Sequence, residues 1–282
     1  MKRYPFGKFL LDTPDEHGIF QIHKDAVLYD RAFGFILEEI AKAAPEAVML
    51  DIGGNIGDTA ALFATYVKNP IISVEGNAEF LEFFRRNRHL FGNQVTLVEG
   101  FVRTDSLSTL NLIYQSGAGS GKMTISDSQN SVNYEFISTD TLIEMAKGRN
   151  QELCLVKSDT DGMDGFIVSD FLHKTDAALF FECDMIATMS GVSNPWPAFF
   201  DSLTEKAYCI VVYDNFGLPM LIEERNPGKV LVDLAGYVSL QRTIPPIRIW
   251  YYDVWAFSPK WRSVFDEVAL KLRKGLLRPT NF

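Results

Sequence analysis

The residues best placed for chemistry lie in a glycine-rich stretch, 48–59, which reads VMLDIGGNIGDT. Its first four residues are typical of the end of a buried strand, and Gly53, Gly54 and Gly57 then lead into an apolar helix, 59–67. Glycines let a ligand approach the backbone, and the start of a helix offers unpaired N–H groups. The stretch therefore predicts a site for a nucleotide-type cofactor.

The spacing of this turn narrows the choice of cofactor. The dinucleotide fingerprint is G-x-G-x-x-G, with the following helix directed at a pyrophosphate. The order here is D-x-G-G-N-x-G, starting at Asp51, with Asn55 where a middle glycine would stand. This order fits the turn of S-adenosylmethionine-dependent methyltransferases, whose cofactor has an ammonium and a sulfonium but no phosphate. A tight turn that binds nothing is the alternative. The cofactor-binding residues predicted from the turn are Asp51, Gly53, Gly54, Asn55 and Gly57.

A second acid supports the cofactor site. Glu75 ends another short buried strand, 71–75, and Asn77 then caps a helix, 78–90. This acid follows the turn by about 20 residues, the separation expected for a carboxylate that holds ribose hydroxyls. We therefore add Glu75 and Asn77 to the predicted cofactor site. In the alternative interpretation, Glu75 only accepts N–H groups from the helix start behind it.

The segment KSDTD, 157–161, closes a fourth buried strand, 153–159. Alternation along that strand predicts that Lys157, Asp159 and Asp161 share one side. A lysine between carboxylates can hold a hydroxyl acceptor or keep an acid ionised, and either aspartate could accept a proton. These three are the predicted catalytic residues. The alternative is an Asp-Gly turn in which Asp161 caps a helix and the lysine is paired for solubility.

Two further acids, Glu182 and Asp184, follow a fifth strand, 177–181, and are predicted to bind substrate. With Asp159 they could instead hold Mg²⁺, because oxygen-rich sites suit a hard cation. We expect no metal. His23 and His173 are expected to be structural rather than a general base.

The alternation of strands and helices around these motifs predicts an α/β fold, with a parallel sheet covered by helices on both faces. Ligands of such sheets bind beyond the carboxyl ends of the strands. A sixth strand, 208–213, should pair antiparallel with the last strand, 249–257. The chain should end in an amphipathic helix, 261–277, which could pack on a second copy of the chain.

One domain, 47–282, should carry the site, with insertions at 103–138 and 214–245. The second insertion is predicted to be β-rich. Residues 1–46 should form an N-terminal cap against the cofactor mouth, with a strand pair at 19–28 and a helix at 33–43.

Two local patterns lie at the first insertion. The run SGAGSGK, 116–122, fails as a phosphate-binding P-loop because Ser116 replaces the first glycine and Met123 follows the lysine. It is interpreted as a hairpin tip between strands at 110–114 and 132–137. Thr141 and Glu144 are interpreted as the capping box of the next helix.

Composition limits the partners. The chain has 282 residues, 47% of them hydrophobic, and a formal net charge of −9. An acidic protein is a poor partner for nucleic acid, and the basic runs 85–88 and 271–278 fit solvated helix faces. No apolar run is long enough for a membrane span, and no signal-type core follows the first residues. Three cysteines without paired spacing indicate reduced thiols and a cytoplasmic location.

Four motifs together resemble the FkbM family of S-adenosylmethionine-dependent O-methyltransferases. They occur in order across about residues 46–260, and they are DIGGNIGDT (51–59), VEGNAEFLEFFRRN (74–87), LVKSDTDGMDG (155–165) and FFECD (180–184). The resemblance implies a Rossmann-like, seven-stranded methyltransferase sheet, mostly parallel with an antiparallel last strand. It also implies methylation of a hydroxyl on a sugar, a polyketide or a similar small molecule. Gly76 replaces the family's usual proline, and Asp161 its usual glutamate.

Two other functions remain open. An NAD-dependent oxidoreductase is disfavoured by the glycine spacing and by the lack of a Tyr-x-x-x-Lys pair or a clear catalytic histidine. A non-catalytic cofactor-binding module in a biosynthetic complex would have the same cofactor residues. Only the acidic segment 157–161 favours catalysis over that third possibility.

Overall fold

The structure is a computed structural model that describes residues 1–26, 28–29, 31–116, 121–125, 134–149, 151–244 and 248–275. Its strands are, in chain order, β1 (Lys2–Phe6), β2 (Phe9–Thr13), β3 (Val48–Ile52), β4 (Ile71–Glu75), β5 (Val95–Glu99), β6 (Phe101–Arg103), β7 (Leu112–Ser116), β8 (Gly121–Ile125), β9 (Phe136–Ser138), β10 (Leu153–Ser158), β11 (Ala178–Cys183), β12 (Cys209–Asp214), β13 (Pro219–Glu223) and β14 (Tyr252–Phe257). Its α-helices are α1 (Ile19–Asp25), α2 (Arg31–Ala43), α3 (Asp58–Tyr66), α4 (Ala78–Asn87), α5 (Thr139–Lys147), α6 (Asp164–Lys174), α7 (Trp196–Glu205), α8 (Pro227–Gln241) and α9 (Arg262–Arg273). Short 3₁₀ helices lie at Arg88–Phe91, Asp105–Leu107 and Pro259–Trp261.

The main sheet confirms the predicted α/β fold. Among the described residues it has eight strands, in the order β13-β12-β14-β11-β10-β3-β4-β5. The five strands from β11 to β5 are parallel. The last strand, β14, lies antiparallel between β11 and β12, as predicted. The eighth strand exceeds the predicted seven, because β13 adds an antiparallel edge next to β12.

Both faces of this sheet are covered, which explains why its central strands are continuous apolar runs. Every residue of β3 and β4 is buried. Alternate side chains enter two separate cores. Met49 and Leu155 pack on one side with α2, α3 and α9, whereas Leu50 and Val156 pack on the other with α5, α6 and α7.

The N-terminal segment forms the hairpin β1–β2 followed by α1 and α2. The helix predicted at 33–43 is confirmed within α2, but the strand pair predicted at 19–28 is wrong. Ile19, Ile22 and Ala26 recur at the i, i+3, i+7 spacing of a helix, and α1 uses that spacing. The hairpin packs on α3 and α4, the helices that follow the glycine turn and Glu75.

The first insertion contains an antiparallel hairpin, β7–β8, and a parallel pair, β6–β9. Four residues of the predicted hairpin tip, 117–120, lie outside the described residues. The next helix, α5, begins three residues earlier than predicted. Its cap is Ser138, whose Oγ accepts the Thr141 N–H at 3.0 Å, so the capping box assigned to Thr141 and Glu144 is wrong.

The second insertion is not β-rich, because its longest element is the fifteen-residue helix α8. The sequence Asn-Pro-Gly at 226–228 resembles a turn but starts this helix. Asn226 Oδ1 accepts the Lys229 N–H at 3.4 Å, and Pro227 fixes the φ angle of the first turn. The insertion therefore packs a helix against α7 and leaves β13 at the sheet edge.

None of the helices in the described ranges is both long and apolar enough to cross a membrane. Cys154, Cys183 and Cys209 are buried and unpaired, in agreement with the predicted reduced thiols.

Candidate functional site

A cleft opens at the carboxyl ends of β3, β4 and β10, and we call it the main cleft. It encloses about 610 Å³, part of it open to solvent. Strand β3 has β4 on one side and β10 on the other, so the strand order reverses at this position. Open α/β sheets bind ligands at such a reversal. Residues from the glycine turn, Glu75 and the segment after β10 all line this cleft.

The glycine turn is shaped by close backbone contacts. Gly53 has φ +82°, and a Cβ added there would lie 1.8 Å from the Asp159 carbonyl oxygen. The N–H groups of Gly53 and Gly54 donate to the Val74 carbonyl at 3.0 and 2.9 Å, and the Gly57 N–H donates to the Gly54 carbonyl. The turn therefore contacts both the end of β4 and the loop after β10. A residue larger than glycine at position 53 would separate these two parts of the cleft.

Asn55 connects the turn to two other segments. Its N–H donates to Glu75 Oε2 at 2.7 Å, and its Oδ1 lies 3.1 Å from His17 Nε2. Nδ1 of His17 accepts the Ile19 N–H, so Nε2 carries the proton and donates to Asn55. The N-terminal segment thus contacts the glycine turn through His17, a buried residue that sequence reasoning missed. No motif or spacing in residues 1–46 indicated it.

Glu75 is buried at the wall of the main cleft. Oε1 accepts the N–H groups of Gly76 and Asn77 at 2.9 and 2.7 Å, while Oε2 accepts one N–H, from Asn55. Burial raises the pKa of Glu75 to about 7, although these backbone N–H groups act in the opposite direction. A carboxylate oxygen has two lone pairs, so Oε2 can accept one further hydrogen bond.

Asn77 lies behind Glu75. Its Oδ1 accepts the Glu79 N–H at 3.0 Å and caps α4, and its Nδ2 donates to the Tyr114 hydroxyl at 3.0 Å. Burial raises the pKa of that hydroxyl to about 12, so Tyr114 stays protonated. The side chain of Asn77 therefore fixes the helix start and Tyr114, and direct cofactor contact stays a prediction.

The structure gives a reason for glycine rather than proline at position 76. A Cβ at this position would lie 2.5 Å from the ring of Phe101, which itself packs 4.9 Å from the ring of Tyr114. A proline would also lack the N–H that donates to Glu75. Phe101 and Tyr114 thus form an aromatic wall of the main cleft, which the sequence analysis did not identify.

Lys157 and Asp51 form a buried ion pair beneath the glycine turn. Lys157 Nζ lies 3.0 Å from Asp51 Oδ1, 3.1 Å from the Gly53 carbonyl oxygen and 3.6 Å from Asp159 Oδ2. Asp51 Oδ2 accepts the Ser73 hydroxyl at 2.6 Å. Burial alone would lower the pKa of Lys157, but the charges of Asp51 and Asp159 raise it. Asp51 is fully buried and can act on a cofactor only through the turn above it.

Asp159 and Asp161 both line the main cleft, but β10 ends at Ser158, so strand alternation does not extend to them. Asp161 has φ +52° and accepts the Gly121 N–H at 3.2 Å. Burial, followed by the charge of Asp159, raises the pKa of Asp161 to about 7. The common side expected for Lys157, Asp159 and Asp161 is therefore corrected in part: Lys157 and Asp159 lie together, with Nζ and Oδ2 3.6 Å apart, whereas Asp161 lines the main cleft, which Lys157 does not line.

Asp164 stabilises the loop that carries these aspartates. Its Oδ1 accepts the Ser158 hydroxyl at 2.7 Å and both the N–H and the hydroxyl of Thr160 at 3.0 Å. Burial raises the pKa of Asp164 to about 6. The sequence carries a signal for this role, because an aspartate is favoured in the first turn of a helix and Asp164 begins α6.

Glu182 and Asp184 lie at the end of β11, but neither contributes to the lining of the main cleft. Burial and the charges of Asp159 and Asp253 raise the pKa of Glu182 well above its usual range. Asp184 accepts from Arg242 Nη1 at 2.9 Å and also from two backbone N–H groups of the next turn. Because neither residue lines the main cleft, their role in substrate binding stays a prediction.

No group of three or more possible metal ligands comes together within the described part of the chain. His23 packs among the rings of Tyr4, Phe6 and Tyr29, and burial lowers its pKa. His173 is exposed on α6.

Comparisons with known proteins show distant likenesses only. No family model matches the chain, and no curated protein matches it. Among solved structures, a putative O-methyltransferase from Klebsiella pneumoniae is similar at 12% identity and a TM-score of 0.41, covering 85% of this chain and 87% of that one. An O-methyltransferase from Bacillus cereus in complex with SAH has 10% identity and a TM-score of 0.41, covering 85% and 89%. A precorrin-6y C5,15-methyltransferase from Geobacter metallireducens has 15% identity and a TM-score of 0.37, covering 78% and 84%.

Proposed function

We propose that this protein is an S-adenosylmethionine-dependent O-methyltransferase similar to the FkbM family. We further propose that it methylates a hydroxyl of a small molecule such as a sugar or natural product. One observation carries the proposal. A single cleft, at the reversal of the strand order, is lined by the glycine turn, by Glu75 as the predicted ribose ligand, and by Asp159 and Asp161.

The residues of the main cleft fit the adenosine part of this cofactor. Glu75 Oε2 keeps one lone pair for a ribose hydroxyl, and Gly53 lets the ligand approach the turn without a side chain in the way. Phe101 and Tyr114 offer ring surfaces next to Glu75.

The charge of the cleft disfavours NAD, the alternative cofactor. Of its described lining residues, three are carboxylates, Glu75, Asp159 and Asp161, and none is lysine or arginine. A pyrophosphate is stabilised by cations beside it, and the described lining residues supply none. A cationic sulfonium suits the same carboxylates. The electrostatics of the cleft therefore support the same cofactor as the glycine spacing.

When bound, the cofactor would supply a methyl group: an electron pair of the acceptor oxygen forms the new C–O bond, and the C–S electrons stay on sulfur. The protein must hold the acceptor in line and remove its proton. Asp161 suits the second task because its pKa of about 7 allows proton transfer near neutral pH. Lys157 keeps Asp159 close to the glycine turn.

The first experiment is calorimetric binding of S-adenosylmethionine, S-adenosylhomocysteine and NAD to the full chain. Micromolar binding of the two adenosyl ligands, weakened in Glu75→Ala, would support the proposal. A preference for NAD, or no binding by any of the three, would contradict it. Glu79→Ala, which removes an exposed carboxylate from the first turn of α4, is the matched control.

A non-catalytic cofactor module would pass that test, so a second experiment is needed. Asp159→Asn and Asp161→Asn should leave S-adenosylhomocysteine affinity within about threefold and abolish methyl transfer to the acceptors of a hydroxyl panel. Turnover that survives both substitutions would contradict the assigned chemistry.

We also propose that neither nucleic acid nor a membrane is the partner of this protein, because its formal net charge is −9. We propose in addition that the protein acts in the cytoplasm.

A further inference from the structure

Glu75 has room for only one more hydrogen bond, which limits how it can hold a ribose. A carboxylate offers about four lone-pair sites to hydrogen-bond donors. Oε1 accepts the N–H groups of Gly76 and Asn77 at 2.9 and 2.7 Å, and Oε2 accepts the N–H of Asn55 at 2.7 Å. Within the described part of the chain, backbone groups thus fill three of these sites, and one site on Oε2 is left.

Position 76 decides how many sites Glu75 keeps. A proline here, as in the family that the sequence resembles, has no N–H and would leave a second site free on Oε1. Gly76 fills that site with its own N–H. The ring of Phe101 keeps the position small, because an added Cβ would lie 2.5 Å from it. In this chain Glu75 can therefore accept one hydroxyl, where a proline at position 76 would allow two.

A proton on Glu75 would take the same site as a ribose hydroxyl. Oε1 faces two N–H donors, so an added proton belongs on Oε2. Burial raises the pKa of Glu75 to about 7, so both forms of the carboxyl are populated near neutral pH. A protonated Oε2 could still donate to a hydroxyl oxygen, but that bond joins two neutral groups and is weaker than a hydrogen bond to an ion. The ionised form therefore binds a ribose hydroxyl more tightly.

Charged and titratable side chains adjoin Glu75 on several elements. Burial raises the pKa of Glu75, and the charge of Lys157 on β10 opposes that effect only in part. The other groups are Glu99 of β5, Glu79 of α4, Tyr114 of β7, Asp159 and Asp161 after β10, and His17 through Asn55. Asp161 has a pKa of about 7 as well, raised by burial and then by Asp159. A pH dependence of binding must therefore be assigned to Glu75 by an experiment that separates these groups.

We propose that Glu75 holds a single ribose hydroxyl of the cofactor through Oε2, and that this hydroxyl competes with a proton for that oxygen. The cofactor then binds the ionised site, and acidification releases it. Because the ionised form prevails at higher pH, the affinity rises as the pH rises through the pKa of Glu75. This inference rests on the proposed function, because it takes Glu75 as the ribose ligand. It adds to that function a limit of one hydroxyl and a dependence of cofactor affinity on pH.

The test uses three nucleosides, adenosine, 2′-deoxyadenosine and 3′-deoxyadenosine. Ligand-observed NMR measures their binding to the full chain at pH 6 and pH 8. At pH 8 one deoxynucleoside should bind at least about tenfold more weakly than adenosine, as a lost hydrogen bond to a charged group would give, and the other within about twofold of adenosine. Losses in both deoxynucleosides, or in neither, would overturn the limit of one hydroxyl.

The pH dependence identifies the competing proton. Adenosine should bind about tenfold more weakly at pH 6 than at pH 8, because a carboxyl with a pKa of about 7 is mostly protonated at the lower pH. The deoxynucleoside that lacks the bound hydroxyl should change by less than about twofold, since it makes no hydrogen bond to Oε2. Equal changes for these two ligands would assign the proton to another group, such as Asp161, and overturn the competition.

Two variants check the assignment to Glu75. Glu75→Gln keeps the shape of the side chain but cannot ionise, so adenosine should bind it weakly and equally at both pH values. Glu79→Gln changes an exposed carboxyl in the first turn of α4 and should behave as the wild type. A pH dependence retained in Glu75→Gln would overturn the proposal. The comparison of nucleosides uses the wild type, so it decides between the outcomes even where Glu75→Gln does not fold.

S-adenosylhomocysteine, measured in the same samples, separates this inference from the proposed function. Binding that is equally tight at pH 6 and pH 8 would overturn the inference and leave the proposed function in place. Failure of S-adenosylhomocysteine to bind, with the nucleosides showing the expected pattern, would overturn the proposed function and support the competition for a nucleoside ligand. No binding by any of the four ligands would overturn both.

Discussion

At the scale of single residues, Glu75 shows that a residue's role can be predicted from the sequence while its hydrogen-bond partners cannot. An acid at the end of a buried run, about 20 residues after a glycine turn, could be predicted as a cofactor ligand from spacing alone. Its three backbone N–H partners could not, because the Asn55 N–H reaches it only through the fold of the turn. These hydrogen bonds confirm the interpretation of Glu75 as an acceptor at the helix start, and its role as a ribose ligand stays a prediction. Glu75 accepts from the helix start and still faces the cleft.

The raised pKa of Glu75 predicts a pH effect on stability. A carboxyl whose pKa is about 7 when folded and about 4.5 when unfolded binds more protons in the folded state between these values. Its contribution is therefore fully present below about pH 4.5 and is lost as the pH rises through 7. Glu75→Gln should reduce the fall in unfolding free energy over this range by up to about 1.4 kcal/mol per pH unit.

Urea denaturation at several pH values measures that slope. Asp161 has a similarly raised pKa, so Asp161→Asn should remove a comparable part of the slope. Glu99→Gln is the control, because an ion pair with Arg85 lowers the pKa of that exposed carboxyl. An unchanged slope in Glu75→Gln would mean that Glu75 is ionised throughout this range.

Gly53 allows a sharper test of the turn. In Gly53→Ala the new methyl would have to displace the Asp159 carbonyl, and the backbone also has φ +82°. Conformational strain and overpacking together should cost about 2–5 kcal/mol of unfolding free energy. Gly92→Ala has φ +58° but no atom within 4 Å of the new Cβ, so it should lose only about 1 kcal/mol. Equal losses in the two variants would show that the contact with Asp159 is unimportant.

At the scale of elements, the strands were easier to predict than their connections. Continuous apolar runs that end in an acid identified β3, β4 and β10, because a strand covered on both faces has no polar alternation. The helix α8 was missed because the Pro and Gly at its start also occur in turns. Only the capping hydrogen bond of Asn226 distinguishes a helix start from a turn here. The helix α1 was likewise not predicted, because it is short and only one of its residues, Ile19, is buried.

The N-terminal segment gives the prediction that belongs to this scale. His17 joins it to the glycine turn through the hydrogen bond to Asn55. His17→Ala should therefore weaken S-adenosylhomocysteine binding by about fivefold, the effect of one lost hydrogen bond, with little change in melting temperature. Calorimetry of His17→Ala beside His173→Ala, an exposed histidine on α6, makes the comparison. Unchanged affinity in His17→Ala would mean that the N-terminal segment does not contribute to the proposed cofactor site.

At the scale of the whole molecule, the alternation of strands and helices predicted a parallel sheet but not which strands are neighbours. The position of β10 next to β3, after a separation of about a hundred residues, creates the reversal at which the cleft opens. Nothing local in either strand specifies that pairing. The motifs suggested it only indirectly, because Asp51 and Lys157 were both assigned to one site. The structure pairs these residues directly in register.

That pair predicts how the site and the stability of the sheet are connected. Lys157 and Asp51 are at most 1% exposed and join β10 to β3 beneath the glycine turn. Lys157→Met keeps the shape but leaves Asp51 as a buried charge without its cation, which should cost about 3–5 kcal/mol in urea denaturation at pH 7. Asp51→Asn in the same chain removes that charge, so the double variant should recover most of the loss. A loss below about 1 kcal/mol in the single variant, or no recovery in the double one, would mean that packing rather than this ion pair holds β10 against β3.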